Sequence, residues 1–209
     1  MEIEVSLVGT IPRAAAPSVI SRLADYTGQH GQQSGAPLHR VERYYRSKLP
    51  AAARGLESLR LLIDNDGKEG SKGATTRLRT ESVDRLTIPR GSAPRRHGWL
   101  QARRVALAPV SDAASADHFL QSQGFTLEFE CLRKGTVFSK GATTVSVFEL
   151  CKHVGDDAWE ALDAEVLLVE AVVSGETLTA LAAEADDLAD ALAALPHVSI
   201  EAASALSMG

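Results

Sequence analysis

Several features that define large classes of protein are missing from this 209-residue sequence. Its two cysteines, Cys131 and Cys151, are too few for a disulfide framework. The single asparagine, Asn65, is followed by an Asp-Gly pair and is therefore not an N-glycosylation acceptor. The longest apolar runs, such as 166–169, fall far short of the roughly 18 residues of a membrane-spanning helix, and the acidic start is unlike that of a signal peptide. These absences predict a cytosolic or nuclear protein.

Basic residues are absent after Lys152, although the whole chain has a net charge of only −5. Residues 1–105 carry 18 Lys and Arg against 10 Asp and Glu, whereas residues 106–209 carry 4 against 17. The two halves therefore differ in balance, at +8 and −13. This asymmetry is either a split of solvated surface charge within one domain or a dipolar surface that meets partner proteins.

The motifs of common catalytic and metal sites are missing as well. The glycine-rich stretch 67–73 lacks the residue order of a phosphate-binding loop, and the Gly-x-Ser-x-Gly elbow of serine hydrolases does not occur. The six histidines form no pair at helical or zinc-finger spacing. We therefore expect no structural zinc and no cofactor, and we interpret both cysteines as small buried side chains.

Short strands with few helices are what the residue pattern predicts. Apolar and polar residues alternate with a period of two at 3–7, and the clearest strand signal is a long hairpin over 125–153. Apolar residues spaced by three and four predict an amphipathic helix over 176–195 with an acidic outer side. Altogether we expect about eight strands, at 3–7, 38–46, 58–63, 77–79, 99–107, 125–132, 145–150 and 165–173, and three helices, at 18–26, 111–123 and 176–195.

This order of elements predicts the α+β class, mainly β. Because strands do not alternate regularly with helices, we expect an antiparallel multistranded β-barrel with about three attached helices. A single β-barrel domain should span 1–209, with flexible polar loops near 28–37 and 64–74.

Some local features follow from the same pattern. The first strand should end at Gly9 and Pro12, and Ser111 should cap the second helix. Alternation predicts that Phe125, Leu127, Phe129 and Cys131 share one face of a strand. A hairpin turn near 140–141 leaves Cys131 and Cys151 on opposite faces, which argues against a bond between them.

One pattern is compatible with catalysis. Glutamates recur at every second position of predicted strands, and if they converge in a barrel lumen they can hold Mg²⁺ or Mn²⁺ while arginines bind a phosphate substrate. Alternatively, these glutamates lie on the water-facing sides of half-exposed strands. The candidates are Glu2, Glu4, Glu128, Glu130, Glu149 and Glu165, with Arg40, Arg43, Arg77 and Arg79 as phosphate ligands.

A basic cluster near the middle of the chain raises a second hypothesis, nucleic-acid binding. Only Trp99 interleaves with the basic residues, and the chain is acidic overall. We therefore expect a phosphate contact within a larger assembly at most, and no independent specific binding. The cluster comprises Arg90, Arg95, Arg96, His97, Arg103 and Arg104.

The glutamate pattern resembles that of triphosphate tunnel enzymes, which begin with Glu-x-Glu-x-Lys. The matching stretch here is Glu2-Ile3-Glu4-Val5-Ser6, so Ser6 stands where those enzymes have a substrate-binding lysine.

A longer resemblance is carried by the opening 5–11, the predicted helix 18–26 and the stretch 118–125, His-Phe-Leu-Gln-Ser-Gln-Gly-Phe. That stretch leads into 129–141, where Lys-Gly occurs on either side of Phe138, and then into the strand 145–150. In this order the features resemble subunit 18 of the Mediator complex, the transcriptional coactivator that links activators to RNA polymerase II.

The Mediator resemblance implies a β-barrel distantly similar to tunnel triphosphatases but without their activity. It implies no catalytic residue, metal or cofactor. It also implies a nuclear subunit of the Mediator head that forms a heterodimer with the barrel of subunit 20, binds a helix of subunit 8 and lies near RNA polymerase II, away from any membrane. The alternative is an active, metal-dependent triphosphate tunnel hydrolase.

Overall fold

The computed structural model describes residues 2–29, 35–47, 56–65, 75–86, 102–155 and 158–202. Among these residues we number ten strands and three α-helices in chain order. The strands are β1 Glu2–Pro12, β2 Ala36–Ser47, β3 Leu56–Asp64, β4 Thr75–Leu86, β5 Ala102–Val110, β6 Phe125–Lys140, β7 Thr143–Val154, β8 Ala158–Ala161, β9 Val166–Gly175 and β10 Ser199–Ala202. The helices are α1 Ala16–Thr27, α2 Ala113–Ser122 and α3 Leu178–Ala193.

Eight of these strands close into an antiparallel barrel. The order around the barrel is β1, β5, β4, β3, β2, β6, β7 and β9, and β9 pairs with β1 to complete the ring. Closure satisfies the backbone groups that an open sheet leaves unpaired at its edges. The barrel, the mainly β class and the three helices predicted from the sequence are confirmed.

The two remaining strands were missed because each has only four residues, too few for a periodic signal. β8 pairs with the end of β7, from Cys151 to Val154, beyond the part of β7 that pairs with β9. β10 pairs with Leu7–Thr10 of β1, beyond the part that pairs with β5. Pairing with β9 and β10 continues through Gly9, and β1 ends at Pro12, within the Gly9-to-Pro12 region where the sequence predicted its end.

The main apolar core lies outside the barrel wall, between it and the helices. Val5, Leu7 and Ile11 of β1 face outward because they alternate with the residues that face the lumen, and all three are buried. They pack with Val19 and Leu23 of α1 and with the apolar stripe of α3. The apolar stripe expected on the helix 176–195 is confirmed, because Leu181, Ala185, Leu188 and Leu192 of α3 are buried against the barrel.

Helix α2 packs on another part of the outer wall. Ala116 and Leu120 contact a smaller cluster that includes Tyr45, Leu59 and Leu61. The cap of this helix is Asp112, whose side chain accepts a hydrogen bond from the backbone N–H of Ser115 at 2.8 Å. The prediction that Ser111 is the cap was therefore wrong by one residue, because the Asp112 carboxylate is the group that reaches the free N–H.

The long hairpin is confirmed as β6 and β7, with Lys140 opposite Thr143 at the turn. Cys131 and Cys151 are buried, unbonded and on opposite faces, as predicted, because Cys151 lies opposite Leu132. The expected single apolar face of 125–131 is wrong. A register shift against β2 lets Phe129 stack on Tyr44 while Phe125 packs with the cluster of Tyr45 on the other side of the wall.

The predicted polar loops fall largely outside the described residues, at 30–34 and 66–74. At their margins, β2 begins at Ala36 and β3 ends at Asp64. None of the helices described is both long and apolar enough to cross a membrane.

Candidate functional site: the charged lumen of the barrel

The register of the strands places a dense set of charged side chains inside the barrel. Residues opposite each other on neighbouring strands point to the same face of a sheet. Glu4 is opposite Arg103, Arg79 is opposite Arg60, and Arg60 is opposite Tyr44. The described lumen arginines are Arg40, Arg60, Arg77, Arg79, Arg103 and Arg133, and the carboxylates are Glu4, Glu42, Asp64, Glu81 and Glu170.

At the centre of the lumen, Arg79 joins Glu4 of β1 to Glu81 of β4. Its Nη1 and Nη2 atoms donate to the two carboxylate oxygens of Glu4 at 3.1 and 2.6 Å, and its Nε donates to Glu81 at 3.1 Å. Burial opposes the charged form of Arg79, but the two carboxylates outweigh it and raise the arginine pKa. Arg79 therefore stays charged, and all three of its guanidinium nitrogens donate hydrogen bonds to carboxylate oxygens.

Glu81 is shared by three arginines. Besides Arg79, Arg60 donates to its Oε1 at 2.6 Å and Arg103 donates to its Oε2 at 2.9 Å. Burial alone would raise the pKa of the Glu81 carboxyl, but Arg60, Arg79 and Arg103 outweigh it and lower the pKa to about 2. Both oxygens of this carboxylate are occupied at neutral pH.

A second chain of contacts runs from β2 to β9. Arg133 binds Glu170 through Nη1, and its Nε lies 3.0 Å from Oε1 of Glu42. Burial would raise the pKa of Glu170, but Arg133 and the other arginines outweigh it and hold this pKa below its usual value. The Tyr44 hydroxyl donates to Glu42 Oε2 at 2.8 Å, and burial with the Glu42 charge raises the pKa of Tyr44 to about 12.

A third group lies where β2, β3 and β4 run side by side. Asp64 accepts from Arg40 Nε and from Arg77 Nη2, each at 2.5 Å. Two guanidinium groups thus share one carboxylate, and the Nε of Arg77 has no hydrogen-bond partner among the described residues.

The lattice of ion pairs restricts what the lumen can do chemically. A divalent cation needs several free carboxylate oxygens, whereas every lumen carboxylate described here already contacts at least one arginine. In the described part of the chain, no group of three or more His, Cys, Asp or Glu side chains is arranged to hold a metal. An entering metal or phosphate would first have to separate buried ion pairs, which is costly.

The structure separates the catalytic candidates of the sequence into two sets. Glu4, Arg40, Arg77 and Arg79 do meet in the lumen. Glu128 instead pairs with Arg46, and Glu149 pairs with Arg13 on the surface. Glu130 and Arg43 pair on the outer wall, where Arg43 also binds Asp117 of α2. Glu2 and Glu165 are exposed and belong to none of these ion pairs. Of the two alternatives left open by the sequence, convergence of all six glutamates in the lumen is therefore wrong.

The sequence analysis did not identify four of the lumen carboxylates, Glu42, Asp64, Glu81 and Glu170. For two of them, Glu170 and Glu81, the sequence pattern does contain a signal that they face inward. Glu170 is the one charge within the apolar strand Val166–Val173, which marks a residue that faces inward against a partner. Arg77, Arg79 and Glu81 alternate along β4 and therefore share a face. Glu42 lies between Arg40 and Arg43, and Asp64 comes just before the polar pair Asn65 and Asp66, so the sequence does not show which of these side chains face inward.

The structure also shows where two residues of the basic cluster lie and how much of the charge asymmetry the lumen accounts for. Arg90, Arg95, Arg96 and His97 lie outside the described residues. Arg103 points into the lumen, where it forms an ion pair with Glu81, and Arg104 is exposed. Five of the six lumen arginines belong to residues 1–105, but so do four of the five lumen carboxylates, so five positive and four negative charges account for only +1 of the +8 balance of that half.

Solved structures share this architecture. One chain of the Schizosaccharomyces pombe Mediator head module superposes with a TM-score of 0.67 at 14% identity, over 96% of this chain and 100% of that one. The PH1819 protein from Pyrococcus horikoshii has a TM-score of 0.61 at 14% identity, over 97% and 96%. A proposed adenylate cyclase from Vibrio parahaemolyticus has a TM-score of 0.59 at 14% identity, over 94% and 90%.

These likenesses show the fold alone. No protein-family model matches the chain, and no curated protein matches it. The barrel resembles both a Mediator head chain and a proposed adenylate cyclase. The fold alone therefore does not determine the function, which has to be argued from the residues in the lumen.

Proposed function

We propose that this chain is a non-enzymatic subunit of the Mediator head module, a nuclear coactivator for RNA polymerase II transcription. The observation that carries the proposal is the state of the lumen. Arg79 occupies both oxygens of Glu4, three arginines occupy Glu81, and Arg133 binds Glu170. A barrel filled in this way serves as a rigid scaffold whose outer surface meets other proteins.

Two further features support an assembly role. The Mediator head chain shares the fold over its full length, and the stretches 118–125 and 129–141 carry the resemblance to subunit 18. We propose on that basis that the chain forms a heterodimer with the second barrel subunit, subunit 20, and binds a helix of subunit 8. Ser6 fits this proposal because it cannot supply the positive charge of the tunnel-enzyme lysine.

The assembly proposal is tested by recovering partners. The full chain, tagged and expressed in its source cells, is purified from nuclear extract, washed at moderate salt and analysed by mass spectrometry. We expect other Mediator head subunits to remain bound. Recovery of the chain alone, together with separate elution after co-expression with its subunit 20 counterpart, would overturn the proposal.

A second candidate function is a tunnel triphosphatase, favoured by the six arginines described in the lumen, because guanidinium groups bind phosphate oxygens. The test is release of phosphate from inorganic triphosphate with Mn²⁺ by the purified chain. The scaffold proposal expects no release above background, and the triphosphatase expects release that Glu4→Gln abolishes. Glu160→Gln, at an exposed carboxylate on β8, is the matched control.

A further inference from the structure

The outer face of β4 and β5 is a part of the barrel wall that the described helices leave largely uncovered. These helices pack mainly on β1, β3, β6, β9 and β10. Residues opposite each other on β4 and β5 share a face, as Ala108 does with Leu78 and Ala106 does with Thr80. Leu78 packs against the apolar cluster beneath α2, so this face points outward, and none of its residues is buried. We call it the β4–β5 face, and it comprises Leu78, Thr80, Arg104, Ala106, Ala108 and Val110.

Helix α2 borders the β4–β5 face on one side. Phe119 of α2 is 58% exposed, which is the highest value among the large apolar side chains described. It lines a shallow cavity of about 230 Å³, together with Leu120 of the same helix and with Leu78 and Val110 of the β4–β5 face. The cavity therefore connects the side of the helix to the strands below it. An exposed aromatic side chain beside such an apolar surface is typical of a site that contacts another protein.

The dimensions of the β4–β5 face match those of one α-helix. From Arg104 to Val110 the strand rises by about 20 Å, which is the length of a helix of about 13 residues. Two neighbouring strands are about 10 Å wide, which is the diameter of a helix with its side chains. Ala106 and Ala108 have small side chains, so they allow a helix to approach the strands closely.

The described helices of a second copy of the chain cannot fill this position. The apolar residues of α1 and α3 are buried in the main core, and Ala116 and Leu120 of α2 are buried on the barrel wall. A helix without a free apolar side has little to gain from contact with the β4–β5 face. A helix from a different chain, which brings an apolar side of its own, meets no such obstacle.

Arg104 indicates the charge that the helix should carry. It lies opposite Ile3, which packs against the main core outside the barrel, so Arg104 also faces outward. Its side chain is exposed, and it has no ion pair with another described residue. An Asp or Glu residue of a docked helix would be attracted to this unpaired guanidinium group.

We propose that a partner subunit of the assembly docks an amphipathic α-helix lengthwise on the β4–β5 face. Small and apolar residues of this helix contact Ala106, Ala108 and Phe119, and an Asp or Glu residue pairs with Arg104. The inference rests on the proposed assembly function and names a surface and a kind of partner segment that serve it.

The test uses the full chain co-purified with its partners from nuclear extract. Phe119 is replaced by the photo-crosslinking residue p-benzoylphenylalanine, and the crosslinked peptide is identified by mass spectrometry. Leu162, which is 53% exposed and follows β8 at another part of the barrel, receives the same residue as a matched control. The crosslink from position 119 is then repeated with Ala108→Arg, which adds a charge to the β4–β5 face, and with Ala158→Arg, at an exposed alanine of β8.

We expect position 119, and not position 162, to crosslink to a partner peptide in which apolar residues recur at spacings of three and four. Ala108→Arg should lower the yield of this crosslink by about tenfold or more, because docking would bury an unpaired charge. Ala158→Arg should leave the yield unchanged. Arg104→Glu should also lower the yield, because it would repel an acidic residue of the helix.

Partners may co-purify while position 119 crosslinks to none of them, to a second copy of the chain or to a peptide without helical spacing. In each of these cases this inference is wrong while the assembly function stands. The inference is also wrong if Ala108→Arg, with an unchanged circular dichroism spectrum, leaves the yield unchanged. Should that variant fail to fold, Arg104→Glu at its exposed side chain decides the same question. If no partner co-purifies, the assembly function itself is wrong.

Discussion

Arg79 holds Glu4 by two hydrogen bonds across the lumen, although their strands, β4 and β1, are not neighbours. The donor atoms Nη1 and Nη2 lie 3.1 and 2.6 Å from the two carboxylate oxygens, and β5 runs between the two strands. Because Arg133 links β6 to Glu170 of β9 in the same way, with β7 between them, ion pairs tie the barrel together across strands that share no backbone hydrogen bonds.

Removing Arg79 should therefore be strongly destabilising. Arg79→Met removes from the buried Glu4 its ion-pair partner among the described residues and removes one contact of Glu81, so we expect the free energy of unfolding to fall by about 3–5 kcal/mol. The measurement is urea unfolding followed by circular dichroism. Adding Glu4→Leu to Arg79→Met should recover part of the loss, because the unpaired charge is then gone.

The matched control is Arg46→Met. Its partner is Glu128, and the Arg46 side chain is 72% exposed, so the loss should stay below about 1 kcal/mol. Equal losses in Arg79→Met and Arg46→Met would contradict a structural role for the lumen lattice.

Stability should fall in acid because of Glu81. Its pKa in the folded chain is about 2, below the usual value of 4.5, so protonation favours the unfolded chain. The stabilisation from Glu81 is fully present above about pH 4.5 and is lost as the pH falls toward 2. Urea midpoints measured between pH 7 and pH 2 should drop over that window, and Glu81→Gln should flatten the drop. A midpoint that is constant down to pH 2 would refute the assignment.

The N-cap of α2 gives a test that distinguishes two adjacent residues. Asp112→Ala removes the carboxylate that accepts from the Ser115 N–H, so we expect a clear drop in the midpoint of thermal unfolding. Ser111→Ala removes an exposed hydroxyl that is not the cap and should lower this midpoint much less. The reverse order of the two drops would restore Ser111 as the cap.

Gly135 of β6 is fixed by the close approach of β7. A Cβ atom at this position would lie 2.0 Å from the carbonyl oxygen of Val147 and 2.6 Å from Cα of Phe148. Gly135→Ala must push the two strands apart, so we expect a loss of about 3 kcal/mol or more, seen as a lower urea midpoint. Gly141→Ala, in the turn where a Cβ meets no atom within 4 Å, should cost only about 1 kcal/mol. Similar midpoints for the two variants would show that the pairing of β6 and β7 can relax.

Local sequence patterns were sufficient to predict most of the elements. The alternation in 125–150 predicted the β6–β7 hairpin, and the stripe in 176–195 predicted α3, because both depend on neighbours within one segment. The bulge near Tyr44 was not predictable in this way. It arises from the pairing of β6 with β2, which are far apart in the chain, and it moves Phe125 to the other side of the wall from Phe129.

The sequence by itself determined which segments form strands and helices, since side-chain alternation and spacing are properties of each segment alone. Only the tertiary structure decided which charges meet. Glu4 and Glu130 look alike in the sequence, but one lies in the lumen against Arg79 and the other on the outer wall against Arg43. In a strand, a shift of one residue in register reverses the face of every side chain, so the partners of each carboxylate were set only when the barrel closed.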